Sequence, residues 1–454
     1  MLTGFLISSP AQADPTGAQH PVKPNILLIL ADDLGYNDLG FQGSKEIKSP
    51  HLDAIAASGV RFTNAYVSAS VCSPSRAGLM TGRYQQQFGH EPNSPPSPFG
   101  MNLNEKTMAD LLKAQGYRTG AIGKWHLGDS DPFYPTNRGF DYFCGLRAGS
   151  RSYFHHEKDD KEGSFKAIEL NGAYLGFEGY ITDLFSGKAV EFIEAQSEQA
   201  PFFLYLSYTA PHGPMHATEA DLKLFEHIKD KKRRTYAAMI WAMDRGVGQV
   251  MDAVKSKGFL ENTLVIFLSD NGGPILDNAS NNYPLNGFKG IKFEGGIRVP
   301  YVMSWPGQLA AGATYGPMVS SLDIVPTALE LAGGDVDAID FAGRDLMPFI
   351  QGEVNARPHE RLFWHKEWFS AMREGDWKLM YVQDFGYALY DLKNDIGEQN
   401  NVAKRHPEKL AAMREAMNAW KALSVKSDWS EGPKWYRINR QHHIDLIPAG
   451  SEVQ

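Results

Sequence analysis

Residues 25–33 read Asn-Ile-Leu-Leu-Ile-Leu-Ala-Asp-Asp, five consecutive apolar side chains (Ile26–Leu30) that run straight into Ala31-Asp32-Asp33. A strand with one wet face alternates, whereas an unbroken run belongs to a strand covered on both faces, as in a parallel sheet. Phe202–Leu206 and Leu264–Leu268 repeat the pattern. Helical periodicity falls between these runs, around Thr107–Gln115, Leu184–Gln196 and Tyr236–Lys255. Strand and helix signals that alternate in this way predict an α/β fold, a sheet sandwiched by helices. In such open sheets ligands collect beyond the carboxyl ends of the strands. That rule gathers Asp32-Asp33, Ser269-Asp270-Asn271-Gly272-Gly273 and Ala210-Pro211-His212-Gly213 into one candidate site.

Asp32, Asp33, Asp270 and Asn271 offer only hard oxygen donors, the set that suits Ca²⁺ or Mg²⁺. Gly120–Gly128 reads Gly-Ala-Ile-Gly-Lys-Trp-His-Leu-Gly; in an extended chain Lys124 and His126 share a side, a cation and a titratable ring suited to an anion. Lys289 lies between glycines at 287 and 290, ahead of Phe293-Glu294-Gly295-Gly296-Ile297-Arg298. Residues 72–83 read Cys-Ser-Pro-Ser-Arg-Ala-Gly-Leu-Met-Thr-Gly-Arg. There Ser73 is expected to cap a short helix with Pro74 at its first position, leaving unpaired N–H groups that favour an anion.

At 454 residues and 43% hydrophobic, the chain can bury a large core. A net charge of −8 argues against nucleic acid as a partner, because phosphate binding needs clustered Lys and Arg. The densest basic run, Lys229–Arg234, reads as a solvated helix face. Leu2–Ile7 followed by Ala11-Gln12-Ala13 reads as a signal peptide remnant over residues 1–13, so the protein is expected to be exported, periplasmic or secreted. No other stretch reaches the ~20 apolar residues of a membrane span, so no integral membrane segment is expected. The two cysteines, Cys72 and Cys144, could pair in an oxidising compartment; unpaired, Cys144 among its aromatic neighbours reads as a buried thiol. Asn93–Phe99 reads as a stiff loop. A catalytic domain over 22–345 is expected to precede an α+β subdomain over 346–454, with strand-like pieces at Leu362–His365, Ser370–Arg373, Trp377–Val382 and Ala388–Asp391 and a helix near Pro407–Leu423. The tail after Val425 carries no assignable pattern.

The succession Pro-Asn-Ile-Leu-Leu-Ile-Leu-Ala-Asp-Asp-Leu-Gly, Cys-Ser-Pro-Ser-Arg, Gly-Lys-Trp-His-Leu-Gly, Ala-Pro-His, Ser-Asp-Asn-Gly-Gly and Glu-Gly-Gly-Ile-Arg-Val-Pro spans nearly the whole chain. In that order it resembles the type I formylglycine-dependent sulfatases of the alkaline phosphatase superfamily. The resemblance implies a large mixed sheet and a short antiparallel sheet in the C-terminal subdomain. It also implies Ca²⁺ (Mg²⁺ in its place) held by Asp32, Asp33, Asp270, Asn271 and the formylglycine made from Cys72. A formylglycine-generating or anaerobic sulfatase-maturating enzyme is then a partner. Arg76 would orient the aldehyde hydrate, Lys124 and Lys289 would bind sulfate oxygens, His126 would take a proton from the hydrate, and His212 would protonate the departing alcohol. One hydrate oxygen attacks sulfur, and the second hydroxyl lets the sulfated intermediate collapse to aldehyde and free sulfate.

The expected substrate is a sulfated glycan. Galactose-type units such as carrageenan or chondroitin fragments are favoured through a resemblance to bacterial polysaccharide sulfatases. Candidate substrate contacts are Ser150, Arg151, His155, His156, Arg298 and His365. Arg147 accompanies them in the 147–156 loop, which could meet further sulfates or a uronate, and Trp364 and Trp368 are placed to flank the cleft. Two alternatives stand beside this reading: an arylsulfatase or phosphonate or phosphate ester hydrolase of the same superfamily, and a non-catalytic sulfated-glycan binder in which Cys72 is never converted. Asn271, where phosphonate-cleaving relatives carry His, favours sulfate.

Overall fold

A computed structural model describes residues 23–448. The signal-like segment 1–13 lies outside these residues. Asn25–Ala31 is a fully buried strand at the centre of a ten-stranded sheet. It pairs in parallel with Phe202–Ser207 on one side and Thr263–Ser269 on the other. Arg118–Lys124 and Tyr142–Leu146 extend the parallel part, and Tyr301–Ser304 runs antiparallel to Thr263–Ser269, so the sheet is mixed.

The unbroken apolar runs have the predicted cause. Leu27, Ile29 and Ala31 point into a core built with the helices Ile181–Glu194 and Lys231–Ser256. Ile26, Leu28 and Leu30 point into an opposite core with Cys72–Thr81, Met108–Ala114 and Ile324–Leu331. The basic run differs in part from its expected solvated face. Asp230 caps the 26-residue helix through the Arg233 N–H. Arg233 turns inward to Asp38 at 2.7 Å and to Glu46 at 2.8 Å, because buried Asp38 requires a cation.

Four antiparallel strands, Arg361–Lys366, Phe369–Glu374, Trp377–Val382 and Gly386–Asp391, form the small second sheet. The helix Pro407–Lys421 covers one face through Leu410, Met413 and Met417. The other face, with Trp364, Met380 and Tyr390, packs on Tyr66, Phe293, Ile297 and Met318. Trp364 is therefore buried, its Nε1 donating to the Val67 carbonyl, and cannot flank a cleft, whereas Trp368, half-buried against Tyr436, lines a small hollow with Lys366 and Glu431. The tail forms a helix, Pro433–Leu446, opened by Gly432 and Pro433, the small-residue and proline start that favours helix entry. No helix among the described residues is long and apolar enough to cross a membrane.

Candidate active site

The helix Cys72–Thr81 begins at the cysteine itself, with Val71 as its extended, uncapped entry residue. This corrects the expected Ser73 cap and Pro74 start: both residues sit within the first turn. Ser73 is buried instead, its Oγ donating to the His126 carbonyl at 2.6 Å and bonding His90 at 2.7 Å, which ties the helix start to the loop after Lys124. Cys72 is 1% exposed. Its Sγ lies 3.4 Å from Asp32 Oδ1 and 3.2 Å from Lys289 Nζ. Burial and the nearby Asp270 push the thiol well above its ordinary range, so as cysteine it stays protonated. The sulfur marks where the oxygen of a converted side chain would stand. Cys72 and Cys144 are both free and buried.

Around that atom acids and cations alternate. Lys124 Nζ meets Asp32 at 2.7 Å. Lys289 meets Asp33 at 2.7 Å, and the Asn271 amide donates to the same carboxylate at 2.7 Å. Arg76 grips Asp270 through Nε at 2.9 Å and a second nitrogen at 2.8 Å, and it donates to Ser207 at 2.6 Å. Burial alone would raise the Asp32 and Asp33 carboxyls, but Lys124 beside the first and Lys289 beside the second hold both below the ordinary value. Asp33 adopts φ 67, a left-handed conformation uncommon outside glycine and concentrated at functional sites.

Lys124 is the last residue of its strand, while His126 lies beyond it at φ 61; a left-handed turn, not strand alternation, brings them to one site. The His126 ring lies against Gly149, where an added Cβ would stand 2.5 Å from Nε2. Burial first, then the charges of Lys124, Arg76 and Lys289, hold His126 well below its usual range, leaving a neutral ring able to accept a proton. His212 approaches Asp33 at 3.5 Å through Nε2.

Two ligand sets overlap here. Ligand atoms of Asp32, Asp33, Cys72 and His212 lie within 4.8 Å of one another. Asp270 adjoins this cluster, its carboxylate accepting the Asp33 N–H at 3.2 Å, and Asn271 Oδ1 is buried with no hydrogen-bond partner among the described residues. The orphaned amide oxygen and three buried carboxylates fit a hard cation better than a set containing imidazole does. The residues present fit Ca²⁺ or Mg²⁺.

The cleft has two lobes that share Asn93, Ser94 and His212. One, of about 290 Å³, holds Cys72, His126 and Ser150. The other, of about 730 Å³, runs from Asp33 and Lys289 to Phe288, Leu276, Trp435 and His442. The expected substrate contacts divide. Ser150 lines the cysteine lobe and His156 an adjoining concavity. His155 is exposed beside Asp160 at 3.2 Å. Arg151 is buried at the wall of that concavity, bound to Asp160 at 2.8 Å and to two carbonyls over the Phe177 ring, so each of its three nitrogens already serves the fold. Arg147 is likewise held by Glu169 at 2.8 Å. Arg298 donates to the Thr63 carbonyl and pairs with Glu294, and His365 bonds Ser370 at 3.1 Å; neither lines either lobe. In each case an internal acceptor claims the polar group. Lining residues with no sequence signal of their own are Asn93, whose Oδ1 accepts the Ser73 N–H at 3.1 Å, and Lys366, Trp435 and His442. The Gly432-Pro433 helix start is the cue that points to the last two.

Residues 24–334 match the sulfatase family model, and residues 288–423 match the model described as N-sulphoglucosamine sulphohydrolase, C-terminal. Human arylsulfatase A is 32% identical over 458 residues, 86% of each chain. Mouse arylsulfatase J is 34% identical over 390 residues, 83% of this chain but 64% of that protein. The solved structure of Ps i-CgsB in complex with k-i-k-neocarrahexaose is 38% identical with a TM-score of 0.85, covering 93% of this chain and 99% of that one. With a family model over most of its length and the acids and lysine at its strand ends converging with the cysteine at a helix start on one buried centre, this chain belongs to the sulfatase family of the alkaline phosphatase superfamily and is a sulfuric ester hydrolase.

Proposed function

We propose that the enzyme removes sulfate from a sulfated carbohydrate of galactose type, with Cys72 converted to formylglycine as the nucleophile position. The observation that carries this reading is the seat of Cys72 at a helix start between Asp32 and Lys289, with His126 and His212 lining the same lobe. Lys124 and Lys289 neutralise the sulfate oxygens, and Arg76 fixes Asp270 and the strand ends. Neutral His126 takes the proton of the attacking hydroxyl, and His212 gives one to the leaving alkoxide. Such proton transfers are typically worth ~10²–10⁴-fold. Asp32, Asp33, Asp270 and Asn271 would hold the cation, which when bound supplies Lewis-acid polarisation of the ester. Cys72 is buried, so its conversion by a maturating enzyme precedes folding.

A carbohydrate is supported by the larger lobe, where Trp435 is 55% exposed beside Leu276 and Phe288 and offers an aromatic face to a sugar ring. The hexaose bound by the 38%-identical relative supports the same class. We place its action outside the cytoplasm on the Leu2–Ile7 and Ala11-Gln12-Ala13 pattern. The test is Cys72→Ser with mass spectrometry of the wild-type tryptic peptide. The variant should keep its melting temperature and lose turnover of 4-nitrophenyl sulfate and sulfated galacto-oligosaccharides. Full activity in a verified variant refutes the nucleophile assignment.

A further inference from the structure

Beyond the cysteine lobe the cleft opens into a concavity of about 510 Å³, lined among others by His156, Lys158, Lys166 and His216. Ser150 and Lys166 belong to both walls, so the two spaces are continuous. The charge here runs against the background, because the whole chain carries 53 acids against 45 Lys and Arg. Asp159 is the one carboxylate of the lining; it accepts the Ser152 N–H at 2.8 Å and stands 3.6 Å from Lys166. Arg151, the remaining cation of the lining, is spent on Asp160. Lys158 is exposed and makes no ion pair among the described residues. A concave wall next to a sulfate-cleaving centre that presents one unpaired ammonium group, Lys158, a second, Lys166, held by Asp159 only at 3.6 Å, and two imidazoles suits an anion carried by the same ligand.

We infer that this concavity is a second anion subsite, reading a sulfate ester or carboxylate on the sugar that carries the scissile sulfate or on its neighbour. The inference rests on the sulfatase reading of the Cys72 centre and narrows the substrate to glycans with two anionic groups in close succession. Lys158 supplies the charge that discriminates. It lies outside the cysteine lobe, so its replacement alters recognition of the second anion and leaves the first untouched.

The experiment measures binding by calorimetry to the full chain carrying Cys72→Ser, which removes turnover from the readout. Two probe pairs of equal length separate the sources: galacto-oligosaccharides with one or two sulfates per disaccharide, and singly sulfated oligosaccharides with or without a uronate. Solvent-exposed ion pairs are each worth up to a factor of about five, and reversing a charge counts both its loss and the new repulsion. The doubly anionic member of at least one pair should bind about 10-fold more tightly. Adding Lys158→Glu should abolish that preference without changing affinity for the singly anionic member, and Lys158→Arg should retain it. The preference should shrink at high salt. Equal affinity within both pairs, a preference that survives Lys158→Glu, or no binding of either doubly anionic probe overturns the inference. Hydrolysis of 4-nitrophenyl sulfate by the wild-type enzyme tests the centre itself, so the two failures are told apart.

Discussion

His212 shows how a residue's role follows from what its two nitrogens face. Nδ1 lies 2.5 Å from the Gly213 carbonyl, which can only accept, and Nε2 lies 3.5 Å from the Asp33 carboxylate. With acceptors on both sides, either ring nitrogen can donate an N–H. If it serves the leaving group, its loss should matter most where that group is a strong base. His212→Ala should lower turnover of a glycan sulfate by ~10²–10⁴-fold and that of 4-nitrophenyl sulfate far less, since a phenolate leaves unaided. Similar losses on both substrates would leave His212 a binding residue. At this scale the strand-end acids, Cys72 and the two lysines were legible because each follows a recognisable local pattern. The fates of Arg151 and Arg298 were not. Composition marks a cation, but which carboxylate or carbonyl claims it depends on partners such as Asp160 and Thr63 that only the folded loops bring near.

The element that carries Lys289 is anchored through Glu294. Its carboxylate accepts from Tyr66 at 2.6 Å and from Lys378 at 3.0 Å, and Lys378 also pairs with Glu398 at 2.8 Å; all three charged side chains are buried. The small sheet thus holds the segment from which Lys289 reaches the centre. Two acids share one lysine there, and burial pushes Glu398 up to about 7 from 4.5. Because its folded value lies above its unfolded one, the native state binds more protons between these limits. Stability therefore falls as pH rises from about 4.5 through about 7, and is level above. Glu398→Gln should remove that slope, which is worth up to about 3 kcal/mol, as measured by urea denaturation on either side of the window. An unchanged slope would assign the pH dependence to other groups. The strands of this sheet were readable as short strand-like pieces in the sequence. The tail helix was not, since its buried contacts, His443 stacked on Phe369 and accepting the Lys292 N–H at 3.0 Å, are made across the fold and leave no apolar stripe in the sequence.

In the whole molecule, the small sheet of the expected 346–454 subdomain packs closely on the fold that carries the central sheet. The change of character near residue 346 is real in the sequence, yet the inner face of the second sheet buries Trp364, Met380 and Tyr390 against Tyr66, Phe293 and Ile297, contacts as apolar as either main core. The charged anchor at Glu294 crosses the same boundary, and the larger lobe takes Asp33 and Lys289 from one side and Lys366, Trp435 and His442 from the other. Separating the two parts would strand a buried ion network and a wide apolar face together, so neither has a state in which it opens at low cost. Heating should therefore give one calorimetric transition whose calorimetric and van't Hoff enthalpies agree. Trp364→Ala sharpens the test. Removing a fully buried indole costs about 3–5 kcal/mol. In a single cooperative unit that loss lowers the whole transition, including the loss of 4-nitrophenyl sulfate activity followed in parallel. If the parts were independent, the variant would split the trace, with an early transition for the small sheet and an unshifted one for the catalytic sheet, and that result would restore the boundary at 346 as a boundary in folding.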